Sequence, residues 1–346
     1  MVKHFASNII TLMIVALVFA GGILAWGSAQ MQKPGSFSED VVFEVRAGDR
    51  LKTVSERLEE QGLIDNAMIF RIAARSAGDD TRLKFGEYKI PAYASMREVL
   101  DLVTSGRALA YQITIPEGLT SFQVVARLLE EPLLTGEIDE IPPEGSLAPD
   151  TYSISKGDSR ASLIRRMTLA QHKIITEAWE LRAEGLPLKD TDEALTLASI
   201  VEKETALPEE RPLVASVFIN RLNRGMRLQT DPTVIYGVTK GRGDLGRGLR
   251  QSELRKKTPY NTYVIEGLPP TPIANPGKAS IEAVLNPAKS NYLFFVADGT
   301  GGHAFAETID EHNRNVRKWR KIEAERRARQ AQIDKQKKAE AEAENE

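Results

Sequence analysis

Between Ile9 and Trp26 the chain runs eighteen residues without a charge, and Thr11 is the only polar side chain among them. A helix needs about 20 apolar residues to cross a bilayer, whereas a cleaved secretory signal has a core of roughly 7–15. Gly27-Ser28-Ala29 would suit a cleavage site, but the length favours a retained anchor over a signal or a buried core helix. Lys3 precedes the stretch and the first acidic residue is Glu39. The positive-inside rule then keeps the N-terminus in the cytoplasm and exports everything after about residue 30. Trp26 falls where an interfacial aromatic belt would lie. The expectation is a single-pass protein of the cell (inner) membrane with a periplasmic or extracytoplasmic body.

Composition narrows the chemistry. The 346 residues include no cysteine, which removes disulfides, thiolate zinc sites and cysteine nucleophiles. A net charge of −2 gives no support for nucleic-acid binding. That average hides a charged extension: Arg317 to Glu346 holds ten Lys/Arg and seven Asp/Glu, with only Trp319, Ile322 and Ile333 as large apolar residues. Strong helix formers dominate it, so a solvated helix is expected.

The middle reads as folded. Val41–Val45 predicts a strand, Arg50–Glu60 a helix, Asn66–Arg75 a second helix with Asp65 as N-cap, Gly86–Ile90 a strand stopped by Pro91, and Met96–Thr104 a helix. A strand running through an acidic turn into a helix occurs twice: Val45, Asp49, Leu51 and Val54 align with Ile113, Glu117, Leu119 and Phe122. Helical patterning takes over from about Ser159 to Arg182. Pro-, Gly- and Asn-rich loops dominate from Gly241 to Gly277.

Several common sites are missing. His4, His172, His303 and His312 form no metal-ligand spacing, Asp298–His303 lacks the Lys-Ser/Thr of a phosphate loop, and no G-x-S-x-G elbow is present. No metal or cofactor is expected. The informative segment is Leu195–Thr205. Nothing between Asp192 and Thr205 breaks a helix, and Asp190 to Asp192 supply capping candidates. At about 100° per residue, Leu197, Ile200, Val201 and Glu204 share one face while Glu202 points about 160° from Glu204. A carboxyl among apolar groups loses hydration and stays protonated to higher pH, the state a general acid needs. The competing expectation is that Glu204 turns into water or pairs with Arg211 or Arg221. Val214–Leu222 continues as an apolar helix, followed by proline-stiffened loops rich in Tyr, Asn, Gln and Thr. Such side chains suit a sugar, although each can equally serve turn chemistry.

These residues carry a resemblance. Ala198–Thr205, Val217–Leu222, Leu228–Gly237, Tyr260–Tyr263, Gly267–Pro270, Asn275–Gly277, Asn286–Ala288, Phe295–Gly299 and, upstream, Leu147–Tyr152 follow in order the motifs of the YceG-like family of endolytic murein transglycosylases. The resemblance runs from the anchor to about Asn313 and says little about the tail. It implies an α+β fold: a transmembrane helix and linker (1–33), a small LysM-like βααβ subdomain (34–109), a mixed α+β catalytic domain rich in helices and ordered loops (110–316), and a charged helical tail (317–346). It implies Glu204 as the catalytic acid; Gln229, Thr230, Asp231, Tyr236, Tyr260, Asn261 and Asn275, on the polar and aromatic loops, are the candidates for holding glycan.

The implied reaction is non-hydrolytic cleavage of the N-acetylmuramic acid–β-1,4–N-acetylglucosamine bond in nascent peptidoglycan strands, limiting their length, with peptidoglycan synthases as implied partners. One carboxylate would act as acid and then base. Ordinary glycosidases use two. The alternatives are a hydrolytic muramidase using Asp231 or Glu202 to activate water, and a tethered glycan-binding protein without activity.

Overall fold

The apolar N-terminal stretch lies in one helix, α1 (Val2–Gln32), of the computed structural model, which describes residues 2–343. Within it Thr11–Gln32 is long and apolar enough to cross a membrane, with mean hydropathy 2.1. Leu12, Leu17 and Leu24 are exposed there. Two units follow from the packing: Met1–Ile113 with Glu131–Gly136 and Tyr152–Ser159, and Thr114–Glu130 with Glu137–Thr151 and Arg160–Glu346.

In the first unit β1 (Val41–Val45), α2 (Leu51–Glu60), α3 (Ala67–Ser76), β2 (Gly86–Ile90) and α4 (Met96–Ser105) follow in the expected order. β1 and β2 pair antiparallel with Phe43 opposite Tyr88, and alternate residues point into a core with Val54, Leu58, Phe70 and Leu100. Two starts carry clear side-chain caps. Ser95 and Glu98 form a reciprocal capping box on α4. For α3 the cap is Asn66, whose side chain accepts from the Met68 and Ile69 amides. The expected cap, Asp65, is instead bound by Lys33 at 2.9 Å. β3 (Tyr111–Thr114) opens the second strand–turn–helix, leading into α5 (Ser121–Glu130), and pairs with β4 (Thr151–Ile154) in a separate two-stranded sheet.

The second unit is mainly helical: α6 (Arg160–Glu180), α7 (Thr191–Glu204), α8 (Arg211–Asn223), α9 (Asp231–Thr239), α10 (Gln251–Arg255) and α11 (Lys278–Leu285). An antiparallel hairpin, β5 (Phe294–Ala297) and β6 (His303–Ala306), precedes α12 (Ile309–Ala343). Leu197, Ile200 and Val201 of α7 share a core with Val214 and Phe218 of α8 and Ile281 and Val284 of α11.

Two expectations change. The run from Asp231, read from sequence as stiffened loop, is helix α9, because Pro232 sits in the first turn where it suits a helix start. The charged extension is helical through Ala343, as expected, but its helix starts earlier. α12 begins at Ile309 and passes Arg317 without a break.

Candidate active site

α7 is set by its ends. The Asp190 side chain accepts from the Glu193 amide, and Thr205 leaves the helix in an extended conformation. Six consecutive residues, Thr196–Val201, are buried, so the helix is packed around most of its circumference and the two acids near its end meet different surroundings.

Glu202 turns to one side and is buried. Its carboxylate lies 3.3 Å from Arg211 and accepts from the Gly277 amide at 3.0 Å. Arg211 also holds Glu117 at 3.0 Å. A Cβ on Gly277 would sit 1.8 Å from the Glu117 carboxylate, so any side chain here would have to displace Glu117.

Glu204 turns to the other side and lines an open cavity of about 500 Å³. Its carboxylate accepts a hydrogen bond from the Thr230 hydroxyl. Burial raises its pKa above the ordinary carboxylate range, and Asp231 adds to the rise. Thr230, His303 and Arg221 act in the opposite direction. Its position at the helix C-terminus also disfavours negative charge.

Thr230 is buried and held by other threonines. Its amide donates to Thr262 Oγ1 at 3.0 Å, and its carbonyl accepts from Thr233 Oγ1 at 2.8 Å. The preceding Gln229 has φ +52°, a left-handed conformation that redirects the chain into the cavity wall. Asp231 accepts from the Tyr263 hydroxyl at 2.6 Å, which with burial pushes the Tyr263 pKa up. Gln229, Thr230 and Asp231 therefore line the same cavity as Glu204.

The other four expected ligands have other partners. Asn261 is fully buried, and its amide donates to the carbonyls of Glu253, Leu254 and Lys256, closing the end of α10. Asn275 is equally buried: it accepts from the Leu147 amide at 2.9 Å and donates to the Leu119 carbonyl at 3.0 Å. Tyr236 donates to Glu144 at 3.1 Å and packs against Tyr260, their rings 5.0 Å apart. Neither tyrosine lines the cavity around Glu204.

Residues the sequence did not single out as glycan ligands complete the wall. Arg221 lines it with its guanidinium over Phe294, donating to the carbonyls of Leu293 and Leu228 at 2.6 and 2.7 Å. His312 of α12 also lines it, stacked on Phe294. Burial and then Arg221 lower its pKa, and Nδ1 has no hydrogen-bond partner among the described residues. Behind Glu204, Glu210 receives the Thr205 hydroxyl at 3.2 Å and pairs with His303 Nδ1 at 2.6 Å, fastening the end of α7 to β6. Neither Arg211 nor Arg221 forms an ion pair with Glu204 among the described residues. No group of three His, Asp or Glu side chains among them is placed to hold a metal ion.

Two carboxyls, Glu204 and Asp231, therefore line an open cleft with polar and aromatic groups, and burial raises the pKa of Glu204. The chain belongs to the YceG-like family, whose pattern matches residues 43–318. It is 29% identical over 331 residues to the endolytic murein transglycosylase of Bacillus subtilis (strain 168), covering 86% of this chain and 90% of that one. It is 28% identical over 367 residues to the endolytic murein transglycosylase of Streptococcus pneumoniae serotype 2 (strain D39 / NCTC 7466), covering 91% of this chain. There it spans 65% of the relative's length. A crystal structure of a YceG-like protein from Listeria monocytogenes is 31% identical, with a TM-score of 0.48, covering 80% of this chain and 99% of that one.

Proposed function

We propose that this protein is an endolytic lytic transglycosylase that cleaves the N-acetylmuramic acid–β-1,4–N-acetylglucosamine bond inside peptidoglycan strands. The observation that carries the reading is Glu204, a carboxyl whose burial favours its protonated form at the wall of an open cavity. The names of the Bacillus and pneumococcal relatives support the substrate and the endolytic mode.

Glu204 gives its proton to the leaving glycosidic oxygen as the C1–O bond breaks and positive charge develops at C1. The new carboxylate takes the proton of the muramic acid C6 hydroxyl, and O6 closes on C1 to form the 1,6-anhydro ring. No water enters, and Glu204 ends protonated as it began. Thr230 fixes one carboxyl oxygen by donating to it, leaving the other to carry the moving proton. Gln229, Thr230 and Asp231 line the cavity from one loop and bind sugar there. Tyr236, Tyr260, Asn261 and Asn275 shape the surrounding loops.

In this reading residues 1–33 anchor the chain in the inner membrane with the N-terminus cytoplasmic. Residues 34–109 form a LysM-like glycan-binding subdomain, 110–316 the catalytic domain and 317–346 a charged tail. Anchoring holds the site near nascent strands, so the biological task is to limit their length alongside the peptidoglycan synthases.

A hydrolytic mechanism would need a second carboxylate. Glu202 is committed to Arg211 and the Gly277 amide, which leaves Asp231 beside the cleft. Digestion of peptidoglycan by the detergent-solubilised full chain, followed by mass spectrometry, separates the two. Anhydro ends that vanish in Glu204→Gln support the lyase. Reducing ends would establish hydrolysis, and a Glu204→Gln protein that still cuts would remove Glu204 from the mechanism.

A further inference from the structure

The first unit carries an apolar surface that the proposed chemistry leaves unused. α3 sends Phe70 and Ala74 into the core and leaves Met68 63% and Ile72 53% exposed. Its charged residues are Arg71 and Arg75, with no acid in the helix. Ile69 and Ile72 line an open groove of about 450 Å³ together with Ile23, Leu24 and Trp26 of α1. A few residues further along α1, Met31 is buried in the core of the same unit, so this end of α1 is fixed to α3 by packing.

Two observations say what covers such a groove. The first is depth. Eighteen uncharged residues at 1.5 Å each span about 27 Å, close to the hydrocarbon thickness of a bilayer. Ile23, Leu24 and Trp26 are the last of that stretch, so the part of α3 that shares their groove lies at the level of the bilayer boundary. The second is charge. Arg71 turns to Glu56 at 3.7 Å, but a short helix with exposed Met68, Ile72 and Arg75 and no acid suits the headgroup region of an anionic bilayer.

We propose that α3 is a second membrane contact: its Met68–Ile72 face rests in the bilayer interface and the groove beside α1 takes a lipid acyl chain. The unit is thereby docked on the membrane surface, where a flexible tether alone would let it swing free. This rests on the reading of α1 as a membrane anchor and is independent of the reaction at Glu204.

The absence of cysteine makes the test direct. Single reporters are placed at Leu17→Cys in the middle of α1, Ile72→Cys on α3 and Lys52→Cys on α2, whose side chain is 75% exposed. Each is labelled with an environment-sensitive fluorophore in the full chain. The protein is reconstituted into phosphatidylethanolamine–phosphatidylglycerol nanodiscs with or without doxyl-labelled lipid. Docking predicts strong quenching at Leu17→Cys and Ile72→Cys, and roughly half as much or less at Lys52→Cys. Adding Met68→Glu should lower quenching at Ile72→Cys and leave Leu17→Cys unchanged. Quenching at Leu17→Cys alone overturns docking while the anchor stands. No quenching at Leu17→Cys overturns both. An unquenched Ile72→Cys that forms a disulfide-linked dimer assigns the groove to a second copy of the chain and overturns the lipid.

Discussion

Two carboxylates two residues apart on α7 live in opposite worlds. On one side Glu202 is buried with a buried arginine and a backbone amide, its charge neutralised within the fold. On the other, Glu204 has a hydroxyl donor, a neighbouring acid and a cavity. Both are removed from bulk water to some degree, so burial alone does not make an acid reactive. A desolvated carboxylate given a cation becomes a strut. One left without an ion-pair partner holds its proton and can give it away.

The largest expected effect lies on the Glu204 side. Glu204→Gln should lower turnover of peptidoglycan by about 10²–10⁴-fold, the usual range for a lost general acid. Thermal stability should hold or rise. The raised pKa means the folded state favours the protonated form, so the stability tied to Glu204 is complete below the ordinary carboxylate range and lost as pH rises through its raised value. The stabilising effect of Gln should therefore grow with pH, which melting curves across pH would record.

The Glu202 side should behave in reverse. Arg211→Met strands a buried carboxylate and should cost about 3–5 kcal/mol in chemical denaturation. Activity per folded molecule should stay within the same order as the wild type. A stable Arg211→Met protein that had lost turnover would erase the contrast between the two sides. Gly277→Ala should cost about 1–3 kcal/mol, because the new methyl displaces Glu117 from the same cluster.

The smallest effect sharpens the Glu204 side. Asp231→Asn removes a like charge that helps hold the Glu204 proton. The alkaline limb of the pH–rate profile should then move to lower pH, by roughly a unit or less. A shift to higher pH would mean that Asp231 acts on Glu204 through something other than its charge.

How much could be read in advance depended on the range of the interactions. The two strand–turn–helix segments show it well. Asp49 in the first turn is held by Arg57, eight residues on, at 2.6 Å, and this unit follows its sequence pattern almost element by element. Glu117 in the second is held by Arg211, ninety-four residues on, and no local pattern announces that partner. The helical wheel likewise placed Glu204 on the apolar side of α7 from local spacing. It could not see that Glu202 is buried too, because the groups that bury it come from distant segments. Tyr263, Phe294 and His312 were invisible as cavity walls for the same reason. Asn261 and Asn275 were legible as special, but a polar side chain that satisfies backbone carbonyls looks in sequence like one that awaits a ligand.

α12 is a clamped beam. At 1.5 Å per residue its 35 residues extend about 52 Å. Ile309, His312 and Val316 form part of the cavity wall at one end. Further on, Ile322 packs against Gly299 at the tip of the β5–β6 hairpin, where any side chain on Gly299 would collide with it, and Arg326 donates to the Gly299 carbonyl. The hairpin grips the first half of the beam, and the same hairpin carries Phe294 and Phe295 into the cavity wall. The two elements that bring His312 and Phe294 to the cleft are therefore fastened to each other as well as to its wall.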